Sequence, residues 1–222
     1  MDWQALALSL RLAALTVLVL LPLGIVLGRL LAFRQFRGKG LAEAFLALPL
    51  VLPPTVLGYY LLVTLSGNLP IGQAWQTTFG HSLVFSFEGL LLASIIVNVP
   101  FAIQPMQRGF EAVPTEIREA GACSGLSPWQ VFWKIDLPLA WPGIVTGLVL
   151  AFAHTLGEFG VVLMVGGSIP GETRTIAISI YDRVQAFDYH AAGVMSALLL
   201  ALSLLALSIT YVLSRRVGRR HG

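Results

Sequence analysis

Two stretches of this chain carry side chains whose types and spacing could do chemistry. The first is a lone acid in an apolar run, His154-Thr155-Leu156-Gly157-Glu158-Phe159-Gly160. A carboxylate held away from water can relay protons or bind a cation. His154 lies four residues earlier on the same helical face, so a local pair fits the spacing equally well. Two further readings stay open: Glu158 caps backbone around the flanking glycines, or the apolar run ends there and leaves it in water. The second stretch is a polar island at residues 119–138, between long apolar runs. Other chemistry is poorly supplied. There is no glycine-lysine loop to cradle phosphates, so nothing in this chain reads as an ATP site. His81, His154, His190 and His221 are scattered without metal-ligand spacing. Cys123 is alone and cannot form an internal disulfide.

The elements that position these residues belong in lipid. The 222 residues are 56% hydrophobic and 11% charged, with mean hydropathy +0.81, whereas a soluble domain is about a quarter charged. A membrane span takes roughly 20 mostly apolar residues, which predicts five: about 5–31, 41–65, 84–106, 139–166 and 190–214. The fourth is the hardest to bound, because Gly157, Glu158, Gly166 and Gly167 interrupt it. The first is too long, and lacks the small-residue pattern, for a cleaved signal peptide. The fold expected is an all-α membrane protein of a single domain over residues 1–222, with no soluble domain and no internal repeat.

Basic residues mark the side of the membrane rather than a nucleic-acid surface. Arg29, Arg34, Arg37, Lys39, Arg108, Arg118, Lys134, Arg215, Arg216, Arg219 and Arg220 are eleven of the fourteen, all on the side of the C-terminus. Arg11, Arg174 and Arg183 fall on or near the other. The positive-inside rule then places the N-terminus outside and the C-terminus in the cytoplasm. The outer loops are about 66–83 and 168–189, the second with a short helix expected around residues 175–184. No Lys or Arg lies deep in a span, which argues against a strong fixed anion site in mid-membrane and against a voltage sensor.

The polar island reads as a rigid object of two short helices. Pro114 precedes Thr115-Glu116, a helix start with an acid in its first turn. Ile117, Ala120, Gly121 and Ser124 share one face at spacings of three and four, a surface of mainly small residues that another protein could approach closely. Gly125 suits the left-handed residue that ends a helix. Ser127-Pro128-Trp129-Gln130 restarts the chain as a capping box with proline at the first helical position. Trp129, Phe132 and Trp133 follow on one face, and Leu137-Pro138 leads into the next span. Read by pattern alone, these helices equally well just cap the bundle.

Prolines 22, 49, 53, 54, 100, 105, 138 and 142 lie in or beside spans, each favouring a kink. Leu48-Pro49-Leu50-Val51-Leu52-Pro53-Pro54-Thr55 is the most distorted stretch. Kinked helices can gate a pathway and are also ordinary in membrane bundles. Thr55, Asn98 and Glu158 are the candidate pathway or gate residues, chosen by polarity and position. Gly143 and Gly147 form a G-x-x-x-G pair that permits close helix packing.

The spacing E-A-G, three residues, G, nine residues, I-x-L-P resembles the EAA loop of ABC importer permeases. It is carried by Glu119, Ala120, Gly121, Gly125, Ile135, Leu137 and Pro138. Gly121 departs from the name-giving pattern, which has a second alanine there. The resemblance implies a type I importer permease fold in which residues about 115–134 form a coupling helix docking into an ATP-binding subunit. The stretches Leu48 to Tyr59, Leu156 to Gly160 and Ile169-Pro170-Gly171-Glu172-Thr173-Arg174-Thr175 are similar to the molybdate branch, with tungstate as second substrate. Some members carry an additional N-terminal span; here only the five core spans are expected. The resemblance further implies a homodimer, two ATPase subunits using ATP and Mg, an extracytoplasmic molybdate-binding protein and an inner-membrane location. It implies no cofactor or metal on this chain, which is not itself an enzyme. The rival within the class is a sulfate or thiosulfate permease, since a permease reads the size difference between tetrahedral oxyanions poorly. Outside the class stands an ion-coupled secondary transporter using Glu158 and His154, for which neither inverted symmetry nor a second intramembrane charge is visible. A purely structural scaffold explains no spacing in the loop.

Overall fold

The computed structural model describes residues 1–218, with side chains to residue 208. Arg219, Arg220 and His221 therefore lie outside the described residues, as do the side chains of Arg215 and Arg216. The described chain is helical. Helix α1 (Trp3–Phe33) begins at Asp2, whose carboxylate accepts from the Ala5 amide at 2.9 Å. There follow α2 (Lys39–Val51), α3 (Pro54–Leu65), α4 (Pro70–Phe79), α5 (Phe87–Glu111), α6 (Thr115–Cys123) and α7 (Pro128–Val131). A π-helical turn (Phe132–Asp136) joins α7 to α8 (Leu137–Gly157), and α9 (Gly160–Gly166), α10 (Ile176–Gln185) and α11 (Tyr189–Gly218) complete the chain.

Among the described residues four continuous stretches are long and apolar enough to cross a membrane: Trp3–Phe33, Phe87–Glu111, Pro128–Gly157 and Tyr189–Ser208. The stretch expected as a second span is instead a broken pair, α2 and α3, bent by 108°. Its cause is local. A residue before proline avoids the α region, and Leu52 and Pro53 take extended ψ values of 135° and 136°. Pro53 and Pro54 also supply no N–H to continue the helix. The fourth predicted span breaks too, between α8 and α9 at Glu158-Phe159.

The bundle is centred on α1, α5 and α8. Leu20, Ala102, Met106, Phe110, Ala140, Ile144 and Ala151 are buried together there. In lipid, helices associate mainly through close van der Waals packing, so small residues mark the contacts. The G-x-x-x-G pair is such a contact: a Cβ on Gly147 would stand 2.5 Å from the Ala102 carbonyl, and Gly143 lies against the Gly109 backbone. The short outer helix is α10, capped by Thr175 at the Ile178 amide. It is tucked against α1, where Ser9 Oγ accepts from the buried Ile176 amide at 2.8 Å. Asp2 reaches the same helix, its carboxylate accepting from Ser179 Oγ at 2.9 Å.

Candidate functional site

The polar island folds from strictly local signals. Gly125 adopts φ +81°. Its amide donates to the Ala122 carbonyl at 3.0 Å, and the Leu126 amide donates to the Gly121 carbonyl at 3.1 Å, closing α6 with paired end bonds. At α7 the Ser127 hydroxyl accepts from the Gln130 amide at 3.3 Å, and the Gln130 side chain accepts from the Ser127 amide at 2.8 Å. Trp129, Phe132 and Trp133 cluster with ring centroids 5.1–5.6 Å apart. Both indole-bearing residues are exposed.

Of the motif positions, Glu119, Ala120 and Gly125 are exposed, Ile135 and Leu137 pack on the α1–α5–α8 core, and Pro138 is exposed in the first turn of α8. The face of small residues is divided. Ile117, Ala120 and Ser124 look outward, but Gly121 is buried, and a Cβ there would sit 2.5 Å from Ile135 Cδ1. Glycine at that position serves close packing inside the loop rather than approach by another protein.

The residue that sequence reasoning passed over is Asp136, the unspecified position of I-x-L-P. It is wholly buried. One carboxylate oxygen accepts from Arg29 Nε and Nη2 at 3.0 and 2.8 Å, the other from Arg118 Nε at 2.8 Å. Arg118 also stacks on Phe33 at 3.6 Å, and Arg29 lies 5.2 Å from the Phe132 ring centre. One carboxylate thus ties α6, the π turn and the end of α1 into a single unit, with charge-assisted bonds that are the stronger kind. The sequence signal was an acid at the mouth of an apolar run with arginines at both neighbouring polar segments. The separation of 107 residues from Arg29 hid the pairing.

The group around Glu158 is also a network. Glu158 Oε1 accepts from the Val161 amide at 2.9 Å and so caps α9, while Oε2 lies 3.7 Å from His154 Nε2. The carboxylate caps backbone, and the histidine stands beside it as the spacing allowed. His154 stacks on Phe101 at 4.0 Å, and its Nδ1 is 3.1 Å from Asn98 Oδ1. Asn98 donates through Nδ2 to the Ser94 carbonyl at 2.8 Å, which turns its oxygen toward the histidine. That oxygen takes the Nδ1 proton, so the neutral ring presents an Nε2 lone pair to Glu158; attraction requires a second proton. Ser94 Oγ in turn accepts from Thr16 Oγ1 at 2.9 Å, and α1, α5 and α8 share the chain.

Two of the three candidate pathway residues are brought to one region. Gly160, just after the Glu158 break, packs against Pro54, just after the α2–α3 break. Thr55 is exposed in the first turn of α3. The two interruptions therefore abut. Asn98 does not join them at the surface: it is wholly buried and positions His154 from behind.

Residues 21–219 match the family described as binding-protein-dependent transport system inner membrane component. The chain is 45% identical over 210 residues to the molybdenum transport system permease protein ModB of Azotobacter vinelandii, covering 95% of this chain and 93% of that protein. It is 39% identical over 222 residues to ModB of Escherichia coli K12, covering 100% and 97%. The sulfate transport system permease protein CysT of the same bacterium is 34% identical over 197 residues, covering 89% and 71%. Among solved structures, a bacterial ABC transporter importing the acidic polysaccharide alginate shares the fold, with TM-score 0.73 and 18% identity over 97% of this chain and 78% of that one. The helical bundle with its broken spans is therefore that of a transporter subunit, and the chain belongs to the family of binding-protein-dependent transport system inner membrane components.

Proposed function

We propose that this chain is the membrane-spanning subunit of an ATP-driven importer carrying molybdate, with tungstate as second substrate, into the cytoplasm. The observation that carries the reading is the Asp136 clamp in a chain closely similar to molybdenum permeases. Two copies pair, each presenting its loop at about 115–134 to one ATP-binding subunit, and an external binding protein delivers the oxyanion. The N-terminus is outside and the C-terminus in the cytoplasm. ATP and Mg are handled by the partner; this chain hydrolyses nothing.

The mechanism follows from the connections. Closure of the ATPase pair displaces α6 and α7, with Glu119, Ala120 and Gly125 on the outer surface of the loop. Gly121, Ile135, Leu137 and Pro138 keep the loop seated on α8. Asp136 makes the push a movement of α1 and α8 rather than a bending of the loop. Helix α8 has 21 residues, so the displacement travels about 30 Å along a stiff rod. It arrives at the Glu158 break beside Pro54, where Thr55 and Glu158 border the pathway and Asn98 holds His154 behind it. Among the described residues no Lys or Arg borders that break, which suits a low-affinity path with selection left to the binding protein.

The test is ATPase activity of the chain with its ATP-binding subunit in lipid vesicles, with binding protein loaded with molybdate, tungstate or sulfate. Stimulation by the molybdate-loaded protein, abolished in Gly125→Trp, is expected. Stimulation by sulfate alone would move the chain to the sulfate branch, where the CysT similarity points. Absence of a stable complex would sink the importer reading.

A further inference from the structure

We propose that the end of α1 and the adjoining loop form a binding site for the phosphate of an anionic phospholipid. A cavity of about 750 Å³ opens between them, lined by Arg29, Arg34, Arg118, Trp129, Val26 and Leu30 among others. Three guanidiniums surround it against one carboxylate, Asp136, which is wholly buried behind them. Two positive charges remain uncompensated. Donors remain as well. Arg29 uses Nε and Nη2 on Asp136 and keeps Nη1; Arg118 uses Nε and keeps both terminal nitrogens. Among the described residues Arg34 has no carboxylate partner. The Arg29 and Arg118 side chains are 34% and 26% exposed, so they can be reached from the cavity. Forked guanidinium donors match a tetrahedral oxyanion.

What selects a lipid rather than a free oxyanion is the surface leading to the arginines. Leu23, Val26 and Leu30 are exposed along α1, Val26 at 64%, forming an apolar strip that ends at Arg29 and Arg34. Trp129, 67% exposed, stands at the other rim, the residue type that settles at headgroup level. Acyl chains lie on the strip while the phosphate enters the pocket. Basic pockets at span ends on the cytoplasmic side suit anionic headgroups, and that leaflet rests on the orientation proposed above.

The test is native mass spectrometry of the full-length chain in detergent, titrated with dioleoylphosphatidylglycerol or dioleoylphosphatidylcholine, which share acyl chains and differ in head charge. It needs no ATPase for its main arms, so failure of the transport reading would not disguise the result. Phosphatidylglycerol is expected to bind at least about fivefold tighter than phosphatidylcholine, the value of one arginine charge at a membrane surface. Arg34→Gln should lose about that factor, while Arg37→Gln, an exposed arginine outside the cavity, should lose none. Millimolar inorganic phosphate should leave the lipid bound. Equal affinity for the two lipids, or equal loss in the two variants, would overturn the proposal. Displacement by inorganic phosphate would make the cavity a free-oxyanion site, and displacement by the ATP-binding subunit would make it a protein contact; either overturns it.

Discussion

Asp136 and Gly121 show how single residues make the loop one mechanical piece. Removing the charge of a buried carboxylate leaves its partners under-satisfied, which costs several kcal/mol when both are deeply buried. Here the arginines keep some contact with water, so the loss for Asp136→Asn is about 2 kcal/mol. Thermal unfolding should register that loss, and a second readout should register its meaning. Binding of the ATPase subunit should persist while stimulation by loaded binding protein falls severalfold. Full stimulation in the variant would deny the clamp any part in transmission. Gly121 gives a graded test. The nearest atom to an added Cβ is the far end of Ile135, which can swing aside. Gly121→Ala is therefore expected within about 1 kcal/mol of wild type, and Gly121→Leu to lose roughly 1–3 kcal/mol by overpacking. Equal melting temperatures for the two variants would contradict the inward placement of this face.

At the level of elements, legibility followed sequence distance. The capping box at Ser127-Gln130 and the left-handed Gly125 are written in adjacent residues and could be read directly. The proline pair at 53–54 announced a distortion, yet its angle depends on how α3 packs against α9, through Gly58 against Met164, which no local pattern encodes. The Arg29–Asp136 pairing is long-range and was missed for the same reason. Gly121 alone of its face turns inward, which the sequence hid because small residues look alike whether they face outward or their own loop. The Asp2 contact with α10 was likewise invisible in sequence. It also has a pH signature. Burial opposes its charge, but the Ala5 amide, the Ser179 hydroxyl and the Arg174 and Arg183 charges outweigh that, holding its carboxyl below the ordinary value of 3.8. A depressed carboxylate contributes stability that is present above its unfolded pKa and lost as pH falls through the folded one. The α1–α10 junction should thus weaken only below about pH 4. Hydrogen exchange of the Ile176–Ser179 amides, taken relative to the intrinsic rate at each pH, should rise there in wild type. In Asp2→Asn it should be raised already at neutral pH and change little on acidification. A wild-type profile as flat as the variant's would remove Asp2 from the junction.

For the whole molecule the deciding constraint is the backbone at the two breaks. Hydrocarbon tolerates non-helical backbone only where protein covers it or water fills a cavity beside it. Pro53 and Pro54 leave carbonyls of α2 without helical donors, and Leu50, Val51 and Thr55 are exposed around them. A single chain facing lipid there would be unstable. The abutting Glu158 break presents a capped carboxylate at the same place. The second copy proposed above, facing this surface across a water-filled path, would satisfy both requirements, whereas lipid would satisfy neither. The difference is measurable because Cys123 is the sole cysteine. In a Cys123→Ser background, Thr55→Cys should react with a membrane-impermeant, charged thiol reagent applied to vesicles containing the assembled complex. Its rate should change at least severalfold when ATP and loaded binding protein are added, because the path opens to one side at a time. A cysteine at Val26, on the apolar strip of α1, should stay inert in every state. If position 55 were as inert as position 26, the breaks would face lipid or a dry contact, and the pathway would have to run elsewhere in the assembly.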